Sequence, residues 1–268
     1  MKQQQLRKSF LKNYHQTPKW RDKAFKNNMC CGIFDLVIGS ALLNNEFPNE
    51  ATVRRRVTQL VKWGTQHDYM NGHYTKVGEF FDAQTFKAFI DGISNASLQD
   101  NQGYEEVIYY LRELDTAIET FNSEEELASK LEKLSMNQLV IFPYEPAYDM
   151  FEGKQHEKNG DHFLHFGLVL PNAKRKKYYR VIQTSRGREV RKPNFTLFMF
   201  NHFAQPKHLF KQNMKPRGFG YKWQLQFPWK KYAGDHEENF SVQTVPKYQE
   251  FNVSGQMLVL TKKGEKNA

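Results

Sequence analysis

Apolar residues recur every three or four positions through most of the first half of the chain. Spacing of this kind predicts helices that bury one face. We expect a surface helix or a frayed arm within residues 1–26, and a strong amphipathic helix that begins at Cys30 or Cys31 and turns Ile33 and Val37 toward the core. Further helices are predicted over residues 50–63, 82–92, 104–121 and 123–134.

Beyond Ser135 the helical spacing gives way to short apolar runs separated by turn residues, a pattern that predicts β-strands. The basic stretch 171–177 separates two of these runs and predicts a hairpin. Strands are predicted over residues 139–142, 163–170, 178–184, 195–200, 221–227 and 256–261. Helices first and strands afterwards indicate an α+β protein with an antiparallel sheet.

The net charge of +10 is unevenly distributed. Between Pro171 and Lys231 there are sixteen Lys or Arg residues and one acid, Glu189. Such a region predicts an anionic partner: nucleic acid, an acidic membrane or an anionic cell-wall polymer. Charge alone does not distinguish among the three. The run Arg54–Arg56 is expected to lie on a solvated helix face.

Only two cysteines are present, and they are neighbours in the chain. A disulfide between adjacent residues is strained, so a disulfide framework is excluded, as is a zinc site made of several cysteines. The first residues contain no apolar core typical of a signal peptide, and no run reaches the ~18 apolar residues of a membrane span. We therefore expect a chain made in the cytoplasm, which either stays there or is exported without a signal peptide as an effector.

A thiol becomes a strong nucleophile when a helix N-terminus or an imidazole lowers its pKa. Cys30 and Cys31 lie at the predicted helix start, which meets the first condition. His165 is the best-placed base among the histidines because it begins a predicted strand, and Gln183 on the next strand can orient its ring. His162 and His165 are three residues apart, which places them on opposite faces of a strand, so no metal site is expected.

Three stretches resemble the NlpC-type cell-wall peptidases, a papain-like family of cysteine hydrolases. These are residues 30–34 (CCGIF), residues 137–142 (NQLVIF), and residues 165–172 (HFGLVLPN) followed by 181–183 (VIQ). The resemblance implies a papain-like fold, in which the nucleophile helix packs on a twisted antiparallel sheet. It implies three segments: an arm and nucleophile helix (1–43), a helical insertion (44–134), and a sheet with a basic, aromatic C-terminal extension (135–268).

The same resemblance implies a role for each matched residue. Cys30 is the nucleophile, His165 the base and Gln183 the orienting residue, whereas similarity to the bacteriocin-leader peptidases makes Cys31 the nucleophile instead. Backbone amides near the helix start, with Asn27 or Asn28, would hold the oxyanion. The implied substrate is an amide bond in a peptide, a peptidoglycan fragment or a protein. No cofactor is implied, and deamidation and acyl transfer remain open beside hydrolysis.

The C-terminal stretch 215–231 supports a different class of function. It interleaves Lys and Arg with Phe, Tyr and Trp, as single-stranded nucleic-acid binders do, because rings stack on bases and cations meet phosphates. The alternative to the hydrolase is therefore a non-enzymatic nucleic-acid-binding protein. A third interpretation is an inactive papain-like scaffold retained for binding.

Overall fold

The structure is a computed structural model that describes residues 2–14, 31–69, 75–76, 79–80, 83–144, 148–149, 154–155, 165–172, 174, 176–183, 186–196 and 255–264. Its helices are α1 (Lys2–Asn13), α2 (Cys31–Leu43), α3 (Glu50–Gln66), α4 (Ala83–Ser94), α5 (Glu105–Arg112) and α6 (Glu124–Glu132). Its strands are β1 (Thr75–Lys76), β2 (Glu79–Phe80), β3 (Leu114–Thr120), β4 (Gln138–Tyr144), β5 (Tyr148–Asp149), β6 (Lys154–Gln155), β7 (His165–Pro171), β8 (Tyr178–Gln183), β9 (Arg186–Arg191) and β10 (Gln256–Lys262). The prediction of an α+β protein with an antiparallel sheet is confirmed.

Six strands form one antiparallel sheet in the order β3-β10-β4-β7-β8-β9. Strands β7 and β8 form the hairpin expected for the apolar runs on either side of the basic stretch 171–177, and β9 pairs with β8 in a second hairpin. Strand β10 comes from the C-terminal end of the chain and inserts between β3 and β4. The remaining four strands form two short two-stranded ladders.

The sheet is covered on both faces, because alternate residues of the central strands β10, β4, β7 and β8 enter two different hydrophobic clusters. On β7, Phe166, Leu168 and Leu170 join the cluster formed with helices α1 to α5. Val169 joins the second cluster, which includes Leu127 and Leu131 of α6. The two faces are called here the α2 face and the α6 face.

Helix α2 was predicted to be amphipathic, and this is wrong because all thirteen of its residues are buried. It lies in the middle of the α2 face, packed against strands β7 and β4 and helix α3. Two glycines allow the close approach to the sheet. A β-carbon on Gly39 would lie 2.9 Å from Cδ2 of Leu139. A helix covered on all sides has no solvated face for polar residues to occupy.

Three other local predictions are corrected. The helix predicted over 104–121 ends at Arg112, and residues 114–120 form edge strand β3. Residues 192–196 form a helical turn where the strand 195–200 was expected, and β9 was not predicted. Strands β3 and β9 form by pairing with β10 and β8, which the local spacing of apolar residues does not report.

The predicted insertion 44–134 contains helices α3 to α6, as its helical pattern indicated, together with strand β3. Side chains of α3, α4 and α5 belong to the same buried cluster as α2 and the sheet. Arg56 of α3 was expected to be solvated with its neighbours, and this is wrong, because it is 6% exposed. Its guanidinium binds Glu46 and Glu106.

Candidate active site

The first turn of α2 lies directly on the first residues of β7. A β-carbon placed on Gly32 would be 3.2 Å from Cδ2 of Phe166 and 2.9 Å from Cε1 of Phe86. The rings of Phe86 and Phe166 meet edge to face, with centroids 5.4 Å apart. Gly32 is therefore the point at which helix α2, helix α4 and strand β7 converge.

Cys31, which adjoins Gly32, stands at this point of convergence. Cys31 is the first residue of α2, is 1% exposed and belongs to the core cluster of the α2 face. Cys30 directly precedes the helix and lies outside the described residues, as do Asn27 and Asn28. The prediction that the helix begins at Cys30 or Cys31 is confirmed, and the oxyanion roles of the two asparagines remain predictions.

His165 and Gln183 lie at one end of the sheet. His165 is the first residue of β7 and pairs with Tyr144, and Gln183 is the last residue of β8 and pairs with Gly167. Gly167 is two residues from His165, so His165 and Gln183 occupy the same face at diagonally adjacent ladder positions. The hairpin brings these two positions together, as predicted.

The ladder does not place His165 and Cys31 on the same face. Residues alternate along β7, and Phe166, Leu168 and Leu170 point to the α2 face. His165 is four residues before Val169, so the alternation assigns its position to the α6 face, where Val169 lies. Phe166 is a β7 residue that contacts the start of α2. Cys31 and His165 each adjoin a residue of the Gly32–Phe166 contact, so their backbones lie near each other.

One polar residue near this point was missed by the sequence analysis. Asp35 lies one helical turn beyond Cys31 and is 5% exposed. It is the only charged residue of α2, and a carboxylate in an otherwise apolar run was the available signal. Buried carboxylates are retained where they bind a specific partner, which makes Asp35 a further candidate for the site.

Within the described ranges, no group of three or more His, Cys, Asp or Glu residues is arranged to hold a metal ion. In the same part of the chain, no helix has the length and apolarity that crossing a membrane requires.

Comparison with known proteins gives no match: no family model, no curated protein and no solved structure is significantly similar to this chain.

Proposed function

We propose that the protein is a papain-like cysteine hydrolase that cleaves an amide bond, with a nucleophile from the Cys30–Cys31 pair, His165 as base and Gln183 as the orienting residue. The observation that carries the proposal is the contact between Gly32 and Phe166, which brings the start of the cysteine helix to the start of the histidine strand. In papain-like hydrolases the thiol and the imidazole come from these two kinds of element.

The chemistry follows from the positions of these groups. The imidazole takes the thiol proton, and the thiolate attacks the carbonyl carbon of the amide. The N–H groups in the first turn of α2 have no intrahelical acceptors, so they can stabilise the oxyanion, with Asn27 or Asn28 as further donors. The imidazolium then gives its proton to the leaving amine, and water hydrolyses the thioester.

Burial favours Cys30 over Cys31 as the nucleophile. Cys31 is packed into the core cluster, and cysteines in such positions are usually inert packing residues. In the sequence Cys30 directly precedes α2, and the proposal assigns the stabilisation of its thiolate to the positive end of the α2 dipole.

The test is the pH dependence of alkylation of the native protein by iodoacetamide, from about pH 5 to about pH 9. We expect Cys30 to be labelled with an apparent pKa well below the free-thiol value of ~8.5, because the helix start and His165 both stabilise the thiolate. Mass spectrometry identifies the labelled residue. His165→Ala is expected to return the apparent pKa toward the free value, whereas Cys31→Ala should leave it unchanged.

His67→Ala is the matched control, since His67 caps the C-terminal end of α3 and stacks against Trp63, with ring centroids 4.2 Å apart. It should not alter the labelling profile. Labelling of Cys31 in place of Cys30, with the same dependence on His165, would reassign the nucleophile within the proposal. Slow labelling at the free-thiol pKa that His165→Ala leaves unchanged would refute the hydrolase.

One observation favours the nucleic-acid-binding alternative. Strand β9 is an edge of the sheet, and its Arg188 and Arg191 are exposed. The basic, aromatic stretch 215–231 lies outside the described residues. If phosphate contacts drive binding, affinity for a single-stranded oligonucleotide should fall by at least about tenfold between about 50 and about 200 mM salt, measured by fluorescence anisotropy. Absence of binding at the lower salt would exclude this function.

A further inference from the structure

A pocket of about 350 Å³ lies on the α6 face, at the end of the sheet opposite His165 and Gln183. Strand β7 has seven residues from His165 to Pro171, and its length separates the two ends by roughly 20 Å. The pocket is formed where α6 ends, β7 ends and β8 begins. Its lining consists of Leu131, Leu134, Ser135, Met136, Pro171, Asn172, Lys176, Tyr179 and Lys192.

The charge of this lining is positive. Lys176 and Lys192 contribute two ammonium groups, and the Nζ of Lys192 lies 5.0 Å from the centroid of the Tyr179 ring. Among the described residues that line the pocket there is no carboxylate. Lysine ammonium groups around a cavity form a binding site for phosphate or carboxylate groups.

Tyr179 supplies a hydrogen-bonding group that the described protein does not use. The residue is 2% exposed, and no described residue forms a hydrogen bond with its hydroxyl. Burial, with a smaller contribution from Glu132, raises the pKa of Tyr179, so the phenol stays protonated at neutral pH. Burying a hydroxyl without a hydrogen-bond partner costs free energy of folding. A ligand oxygen in the pocket would accept a hydrogen bond from this hydroxyl.

Two buried arginines add to the positive potential from the other side of the strands. Arg7 of α1 is 1% exposed and donates from Nη2 to the carbonyl oxygen of Met136, a pocket residue, over 2.8 Å. Its Nε and Nη1 groups have no hydrogen-bond acceptor in the described part of the chain. Burial, and then repulsion by Arg180, lowers the pKa of Arg7 to about 10.

The second arginine is only partly neutralised. Arg180 is 2% exposed, and its Nε lies 3.7 Å from Oε1 of Glu189. The same oxygen accepts a hydrogen bond of 2.8 Å from the amide of Asn172, which also lines the pocket. Glu189 is thus one carboxylate shared by Arg180 and Asn172, and among the described residues Arg7 repels Arg180. Fields of buried charges are weakly screened and reach the pocket.

We propose that this pocket binds a small organic anion, with its phosphate or carboxylate group between Lys176 and Lys192 and its apolar part against Leu131, Leu134 and Met136. The volume lies within the range of small-molecule sites, at the lower end. A phosphate group alone would leave the leucines and Pro171 without a partner, whereas a neutral apolar molecule would leave the two ammonium groups unpaired.

Phenyl phosphate is the probe, and isothermal titration calorimetry measures its affinity for the full chain. Inorganic phosphate and benzyl alcohol test the two halves of the proposal separately. We expect both to bind at least about tenfold more weakly than phenyl phosphate, because each lacks one class of contact. If inorganic phosphate binds as tightly as phenyl phosphate, the proposed apolar contacts are refuted. If benzyl alcohol binds as tightly as phenyl phosphate, the proposed contacts with the anionic group are refuted.

Variants locate the binding. Lys176→Gln with Lys192→Gln should weaken phenyl phosphate binding by about tenfold or more. Lys12→Gln with Lys62→Gln makes the same change in net charge at two exposed lysines and should bind as the parent does. If both double variants weaken binding equally, general electrostatic attraction explains the affinity and binding in the pocket is refuted. Absence of measurable binding of phenyl phosphate to the parent would refute the proposal as well.

Tyr179→Phe supplies a readout that a purely structural role would not give. Because the hydroxyl has no partner among the described residues, its removal should not lower the melting temperature, yet it should weaken phenyl phosphate binding several-fold. A fall in melting temperature with unchanged affinity would show that the hydroxyl serves the fold instead.

Discussion

Replacing both Glu46 and Glu106 with Gln is expected to lower the free energy of unfolding by about 3 kcal/mol. The cause is Arg56, whose guanidinium donates to Glu46 over 3.0 Å and to Glu106 over 2.9 Å. Its central carbon also lies 3.6 Å from the centroid of the Tyr110 ring, and the Tyr110 hydroxyl donates to Glu46. Without the two carboxylates, a buried cation remains that no charge neutralises.

Urea denaturation at neutral pH measures this change. Glu50→Gln is the control, because the Glu50–Arg54 pair is exposed and separated by 3.5 Å, and it should cost at most about 0.5 kcal/mol. Adding Arg56→Met to the double variant should recover part of the lost stability, since it removes the charge that needs a partner. A double variant as stable as the parent would show that water solvates the guanidinium of Arg56 well enough to replace the two carboxylates.

The same cluster gives the acid dependence of stability a definite sign. Hydrogen bonds from Arg55 and then Arg56 lower the pKa of Glu106 below its ordinary value of 4.5. Its contribution to stability is therefore complete above that value and is lost as the pH falls through the lower pKa of the folded state. The Glu106→Gln variant lacks this part of the acid-induced loss.

The sequence predicted those elements whose signals are local. Helices α3 and α6 follow from their spacing of apolar residues. At the start of α6 the hydroxyl of Ser123 accepts a hydrogen bond from the amide of Glu126 and caps the helix. Strand β3 was not predicted, because its pairing partner β10 lies more than a hundred residues away along the chain. The prediction that α2 has a solvated face was wrong for a related reason. Helical spacing shows which residues face the sheet, but it does not show what covers the opposite face.

The helix and the strand that carry the candidate residues were predicted, but their relative orientation was not. The sequence placed a cysteine at a helix start and a histidine at a strand start, and the structure brings these two chain positions close together. Helix α2 covers one face of the sheet because of the packing of Gly32, Gly39 and their neighbours. No pattern within the sequence of β7 shows which face that is. The basic pocket was missed because Lys176, Tyr179 and Lys192 meet only after the β7–β8–β9 hairpins form.

Gly167→Ala is expected to lower the free energy of unfolding by about 2 to 3 kcal/mol. A β-carbon at this position would lie 2.7 Å from the backbone oxygen of Ile182 and 2.8 Å from Cζ of Phe142. The first contact is with the backbone of the adjacent strand, which cannot move without disturbing the β7–β8 ladder. Chemical denaturation compares the variant with Gly103→Ala, where no described atom lies within 4 Å and only the left-handed backbone (φ +88°) costs energy.

A second variant separates the two contacts, and its outcome bears on the His-x-Gly pattern that supported the resemblance. Phe142→Leu added to Gly167→Ala removes the ring from the collision, so part of the lost stability should return, while the contact with Ile182 remains. If Gly167→Ala destabilises the fold as expected and Cys30 keeps its low apparent pKa, the glycine serves the packing of β7 on β8. The pattern then carries information about function only through His165. If Gly167→Ala instead leaves stability unchanged and abolishes the thiolate, the glycine belongs to the active site.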